Sequence, residues 1–148
     1  TLKIFQALTN DSLSQKVYDE GRSIADLVWH IILTLGEMPS SIGLSIEAPN
    51  EHTEDPNDIN TYVELYSKAS ASFLNQILEK WNDSNLLQEF DIYGEKWTGG
   101  FLLEALIRHQ IHHRAQITVL MRQANLKVPG VYGPAKEEWA AYGMPAPK

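Results

Sequence analysis

Three of the chain's five histidines lie in the segment Arg108-His109-Gln110-Ile111-His112-His113-Arg114-Ala115-Gln116. The surrounding stretch reads as one helix. On it His109 and His113, four apart, share a face with Cβ atoms about 5–6 Å apart. Two imidazoles at that spacing can converge on one metal ion, whose bonds to nitrogen need only about 2.0–2.1 Å each. His112 is turned about 100° from His113 and flanks the stripe, so a supporting or packing role fits it better than ligation. The plain alternative is a pair of half-buried rings bonded to ordinary neighbours.

His30 shifts that balance. It stands inside the apolar run Leu27 to Leu35, where a titratable ring costs free energy unless it has a partner. A lone core histidine is more often packed than ligating, but three inward histidines on two helices point to a shared site. His30, His109 and His113 are therefore the candidate metal ligands, while His52, in an acidic loop, receives no role. Three imidazoles leave a four-coordinate ion with an open position, as catalytic sites do. Neutral nitrogen ligation suits Zn, Ni, Fe or Cu alike. A +2 centre would lower the pKa of water or thiol at the open position. Two known patterns fail: a zincin needs Glu after its first histidine, where Gln110 stands, and no histidine has the Glu three residues earlier that di-iron bundles use.

The elements that must position these rings are helical. Leu2 to Leu8 reads as the end of an amphipathic helix, stopped by Thr9-Asn10-Asp11-Ser12. Because the chain starts at Thr1 rather than Met, residues of that first helix are expected to be missing upstream. A second helix opens at Ser23, with Asp26 completing a capping box, and ends at Gly36 and Pro39. Residues Pro39 to Asn60 read as a long loop, whose Glu47, Glu51, Glu54, Asp55 and Asp58 form a solvated rim. A third helix is expected over about Asn60 to Trp81. Leu86 to Trp97 reads as a short extended or hairpin-like link. A fourth helix runs from Thr98 or Gly99 to about Asn125, and its basic residues suit the negative end of the helix dipole. In the turn-rich tail, Trp139 and Tyr142 are expected to pin the chain to the body. The fold class is all-α, an antiparallel four-helix bundle with long loops, in a single domain over residues 1–148.

Bulk properties narrow the function. The 148 residues suffice for one core, and a net charge of -7 with a pI near 5.1 argues against nucleic acid as a partner. The absence of cysteine excludes thiolate ligands and a cysteine nucleophile, so any thiol must arrive as a co-substrate. The longest apolar run is too short for a bilayer, so no membrane partner is expected, and a cytoplasmic location is the simplest expectation.

With Arg22-Ser23-Ile24 leading to His30, the block from His109 to Gln116, Val128-Pro129-Gly130-Val131-Tyr132-Gly133-Pro134 and Trp139, the chain resembles the DinB/YfiT-like family of four-helix-bundle metalloproteins. The likeness runs from about Arg22 to the tail and is most specific at the His-x-x-His-His-Arg-x-Gln block. Ala115 stands where the family commonly has Gly. The resemblance implies a divalent transition metal (Zn, Ni or Fe) on His30, His109 and His113, often in a homodimer. It also implies transfer or isomerisation with a low-molecular-weight thiol and an electrophile as small-molecule partners. A metal-dependent hydrolase and a non-catalytic, stress-related metal-binding bundle are the alternatives. Arg114 and Gln116 are candidates for orienting ligands or substrate, or for surface and salt-bridge roles, and no general base is legible.

Overall fold

Ser23 starts the helix that carries His30, and it does so with both halves of a capping box. In the computed structural model, which describes residues 1–147, Ser23 Oγ accepts from the Asp26 amide at 3.1 Å. Asp26 Oδ2 in turn accepts from the Ser23 amide and hydroxyl, each at 2.7 Å. The helix, α2, spans Ile24–Ser40 and follows a single turn, α1, at Leu2–Phe5. The first helix thus stops three residues short of the expected Leu8, because Thr9 and Ser12 cap a separate short turn at Asn10–Ser12.

Gly36 and Pro39 do not stop α2. Gly36 is needed for contact rather than termination: a Cβ there would sit 2.8 Å from the Ala48 Cβ of the following loop. Pro39 lies in the last turn, where its missing N–H costs one bond while Met38 and Pro39 themselves become buried. The loop then runs to Asp58, which caps α3 (Ile59–Lys80) by accepting from the Thr61 amide at 2.9 Å. Asp58 and Asp55 are therefore more than a solvated rim, since Asp55 accepts a short hydrogen bond from the buried Tyr62 hydroxyl.

Strands β1 (Glu89–Ile92) and β2 (Glu95–Thr98) pair antiparallel, Phe90 opposite Trp97 and Ile92 opposite Glu95. Tyr93 and Gly94 both take positive φ, 52° and 85°, which gives the tight turn whose twist matches the strands. This hairpin falls in the stretch expected as an extended or hairpin-like link and adds a sheet to the expected all-α fold: the chain is mostly helical, with four helices and one two-stranded sheet among the described residues. Tyr93 donates to Glu37 Oε1 at 2.8 Å and so ties the hairpin to α2. Thr98 caps α4 (Gly99–Gln123), accepting from the Phe101 amide at 3.2 Å.

α2 packs against both α3 and α4. The main core joins Ile24, Leu27, Val28, Ile31 and Leu35 of α2 with Tyr62 and Tyr66 of α3 and Leu106, Ile117 and Leu120 of α4. A smaller cluster of Ile42, Leu44, Ile92 and Leu102 seats the hairpin and the loop after α2. Burying each such aliphatic side chain contributes about 1.5–3 kcal/mol, so α2 and α4 are held in fixed register where the histidines stand. In the tail Trp139 is half-buried, but Tyr142 is exposed and does not pin it. The tail is joined to α4 by the Arg122–Glu137 ion pair and by Arg114, which donates to Tyr132, while Glu138 folds the tail on itself by accepting from the amides of Gly130 and Ala135.

Candidate metal centre

On α4 the buried face reads Leu102, Leu106, His113, Ile117 and Leu120, so the core stripe carries His113 inward. His109, one turn earlier, and His30, facing it from α2, are half-buried at the edge of that core. The three rings meet. His109 Nε2 lies 3.0 Å from His30 Nε2 and 3.1 Å from His113 Nε2, and one ligating atom from each ring falls within 4.8 Å of the others. Ring centroids are 4.4 to 4.8 Å apart with interplanar angles of 61° to 90°. Rings set edge to face in this way aim nitrogens at a common point instead of stacking.

The donor set fits a cation better than it fits itself. Each nitrogen of a neutral imidazole carries either one N–H or one lone pair, so His109 Nε2 can make a well-aligned hydrogen bond to only one of its two histidine neighbours. Tetrahedral bonds of about 2.0–2.1 Å would place ligand nitrogens about 3.3 Å apart, close to the spacing seen. His109 Nδ1 is buried with no hydrogen-bond partner among the described residues, a cost that a strong interaction at its other nitrogen would offset.

Second contacts orient the rings. His113 Nδ1 donates to Gln116 Oε1 at 2.7 Å, which leaves the lone pair on Nε2, the atom facing the cluster. Thr34 Oγ1 donates to the His30 carbonyl at 2.9 Å and fixes the backbone beneath that ring. Gln110 was not singled out by spacing, yet its Oε1 accepts from Tyr66 at 3.0 Å and from Thr1 at 3.0 Å, locking α4 to α3 beside His109. Its only sequence signal is adjacency to His109.

Electrostatics keep the rings in the ligating, neutral form. Burial, followed by the neighbouring His109 and His113, brings His30 down from 6.5 to about 4. Burial is also the leading cause of the lowered pKa at His109 and His113. The exposed Arg22 adds to the depression at all three.

The remaining candidates fall outside the cluster. His112 is exposed on the flank, its ring centroid 4.8 Å from that of His113. Arg114 donates to Tyr132 at 2.6 Å and to Thr1 at 3.2 Å, a structural attachment of the tail. His52 is exposed beside Glu51. Two clefts reach the histidines from different sides. One, of about 820 Å³, lies between α2 and residues 43–51 and opens at His30. The other, of about 520 Å³, opens at His113.

Known proteins share the family profile and the fold. The sequence profile of the DinB family matches residues 1–147. The chain is 40% identical over 148 residues to the uncharacterized protein YrdA of Bacillus subtilis, covering all of this chain and 89% of that one. Against the uncharacterized protein YjoA of the same organism it is 27% identical, over 83% of this chain and 80% of the other. A crystal structure of a DinB-like protein from Bacillus cereus superposes with a TM-score of 0.84 at 35% identity, covering 88% of this chain and 87% of that one. The fold also matches the YjoA crystal structure, with a TM-score of 0.68 at 22% identity over 90% of each chain.

Proposed function

The chain belongs to the DinB family, and from that premise we propose that it is a metal-dependent transferase using a low-molecular-weight thiol, with His30, His109 and His113 holding a divalent Zn, Ni or Fe ion. The observation that carries the proposal is the meeting of three Nε2 atoms from two helices at 3.0 and 3.1 Å. When bound, the ion supplies a +2 charge and an open position that favour the thiolate form of a small thiol, the nucleophilic form.

The chain's own residues do the rest. The three imidazoles stay neutral through burial and mutual repulsion, so no proton must be removed before ligation at pH 7. Gln116 holds the His113 tautomer, and Gln110 with Tyr66 holds α4 against α3. The cleft beside residues 43–51 gives the second substrate, an electrophile, an approach to His30. With no cysteine in the chain, the sulfur must come from the co-substrate.

The proposal includes a homodimer in the cytoplasm, where small thiols are kept reduced. Among the described residues no helix is long and apolar enough to cross a membrane. An apolar groove between α3 and α4, lined by Leu74, Ile77, Leu103, Ile107 and Ile111, supports self-association, because monomers seldom leave such a patch open.

The test mixes zinc-loaded protein with a panel of small thiols and a chromogenic electrophile. Conjugation above background with at least one thiol, lost on chelation and in His113→Ala, is the expected result. Equal rates with and without metal across the whole panel would overturn the transferase assignment.

A further inference from the structure

The two clefts that reach the histidines carry opposite charge. The larger is lined by Glu37 and Glu51 with no lysine or arginine. The smaller is lined by Arg22, His112 and Gln116, with Leu27, Val119 and Leu120 as apolar wall and no acidic residue.

Arg22 is the unusual member. The chain has four arginines and a net charge of -7, so acidic partners are plentiful. Arg108 pairs with Glu104, Arg122 with Glu137, and Arg114 donates to Tyr132. Arg22 makes no ion pair or side-chain hydrogen bond among the described residues. Asp19 and Glu20, the nearest acids in sequence, are exposed and form no ion pair with it among the described residues, and Asp26 feels its field but is committed to the amide and hydroxyl of Ser23. Arg22, unpaired among the described residues, therefore lines a mostly apolar cleft that His113 also lines.

We propose that this cleft is the binding site of an organic carboxylate, anchored by the guanidinium of Arg22, with its apolar body against Leu27, Val119 and Leu120. A planar guanidinium matches a carboxylate with two parallel hydrogen bonds. One unpaired cation balances one negative charge, which favours a monoanion over a phosphate dianion. The volume, about 520 Å³, lies within the range of small-molecule sites. The acidic lining of the opposite cleft repels the same ligand, so charge alone sorts an anionic from a neutral reactant at the two approaches. That the far end of the carboxylate meets a reacting centre rests on the metal proposal above; the anchor at Arg22 does not.

The probe is hexanoate, followed by NMR on metal-free protein, with hexan-1-ol and hexylammonium as controls. Hexanoate is expected to shift the signals of Val119 and Leu120 and leave Ser45 and Ile46 unmoved. Arg22→Gln should weaken binding by about tenfold or more, Arg22→Lys by less, and Glu37→Gln not at all. Circular dichroism on each variant checks that the fold is kept. Equal affinity for hexanoate and hexanol, an unaltered affinity in Arg22→Gln, or shifts confined to the Glu37 cleft would each overturn the site. Zinc uptake is measured on the same samples. Protein that binds zinc but ignores hexanoate refutes only the anion site, and protein that binds hexanoate at Arg22 without zinc refutes only the metal centre.

Discussion

Zinc is expected to raise the thermal midpoint of the metal-free protein, and His30→Ala is expected to abolish the rise. The ion would bridge His30 on α2 to His109 and His113 on α4, so it binds the folded chain and not the unfolded one. Free metal at about 100 times Kd then stabilises the fold by about 2.7 kcal/mol. For 148 residues, an unfolding entropy of about 2.1 cal/mol/K per residue gives about 0.3 kcal/mol/K, and the midpoint rises by about 9 °C. Without His30 the two remaining nitrogens lie on one helix and no longer join α2 to α4, so the shift should fall to about 2 °C or less. Differential scanning calorimetry with zinc, and again after chelation, reads both numbers. A wild-type midpoint indifferent to zinc, or the full shift retained in His30→Ala, would refute the cross-helix centre.

Other perturbations follow from neighbouring contacts. Gln116→Ala leaves His113 Nδ1 without its acceptor and should weaken zinc affinity about 10–100-fold in a chelator competition, while the melting curve of the metal-free protein is nearly unchanged. Ile117→Ala empties a fully buried position one turn beyond His113 and should cost about 2–5 kcal/mol in urea unfolding; a loss under about 1 kcal/mol would contradict the packing described. Asp26 has its pKa lowered first by the Ser23 amide, so its stabilisation is present above the usual carboxylate range and is lost as pH falls through its folded value. Asp26→Asn should therefore cost about 0.5–1 kcal/mol at pH 7 and progressively less below about pH 4, as read from paired urea titrations.

Features written in short stretches of chain were readable, and those depending on distant partners were not. The Ser23–Asp26 box and the His109/His113 spacing are local, set by three- and four-residue helical offsets. His30 was legible because a polar ring in an apolar run needs a partner, although nothing local names which ring supplies it. Gly36 and Pro39 carried stop signals that tertiary packing overrode, with Ala48 pressed on one and burial gained at the other. The hairpin has strands of only four residues, too short for alternation to separate it from an extended link. Tail attachment through Arg122–Glu137, and the burial of Tyr62 against Asp55, join residues whose pairing no periodicity encodes.

X-ray absorption at the zinc edge of stoichiometrically loaded protein tests the metal centre most directly. The expected spectrum has three imidazole nitrogens at about 2.0–2.1 Å and one further light ligand. It should lose one imidazole in each of His30→Ala, His109→Ala and His113→Ala. A shell of carboxylate and water oxygens, or a spectrum unchanged by all three substitutions, would contradict it.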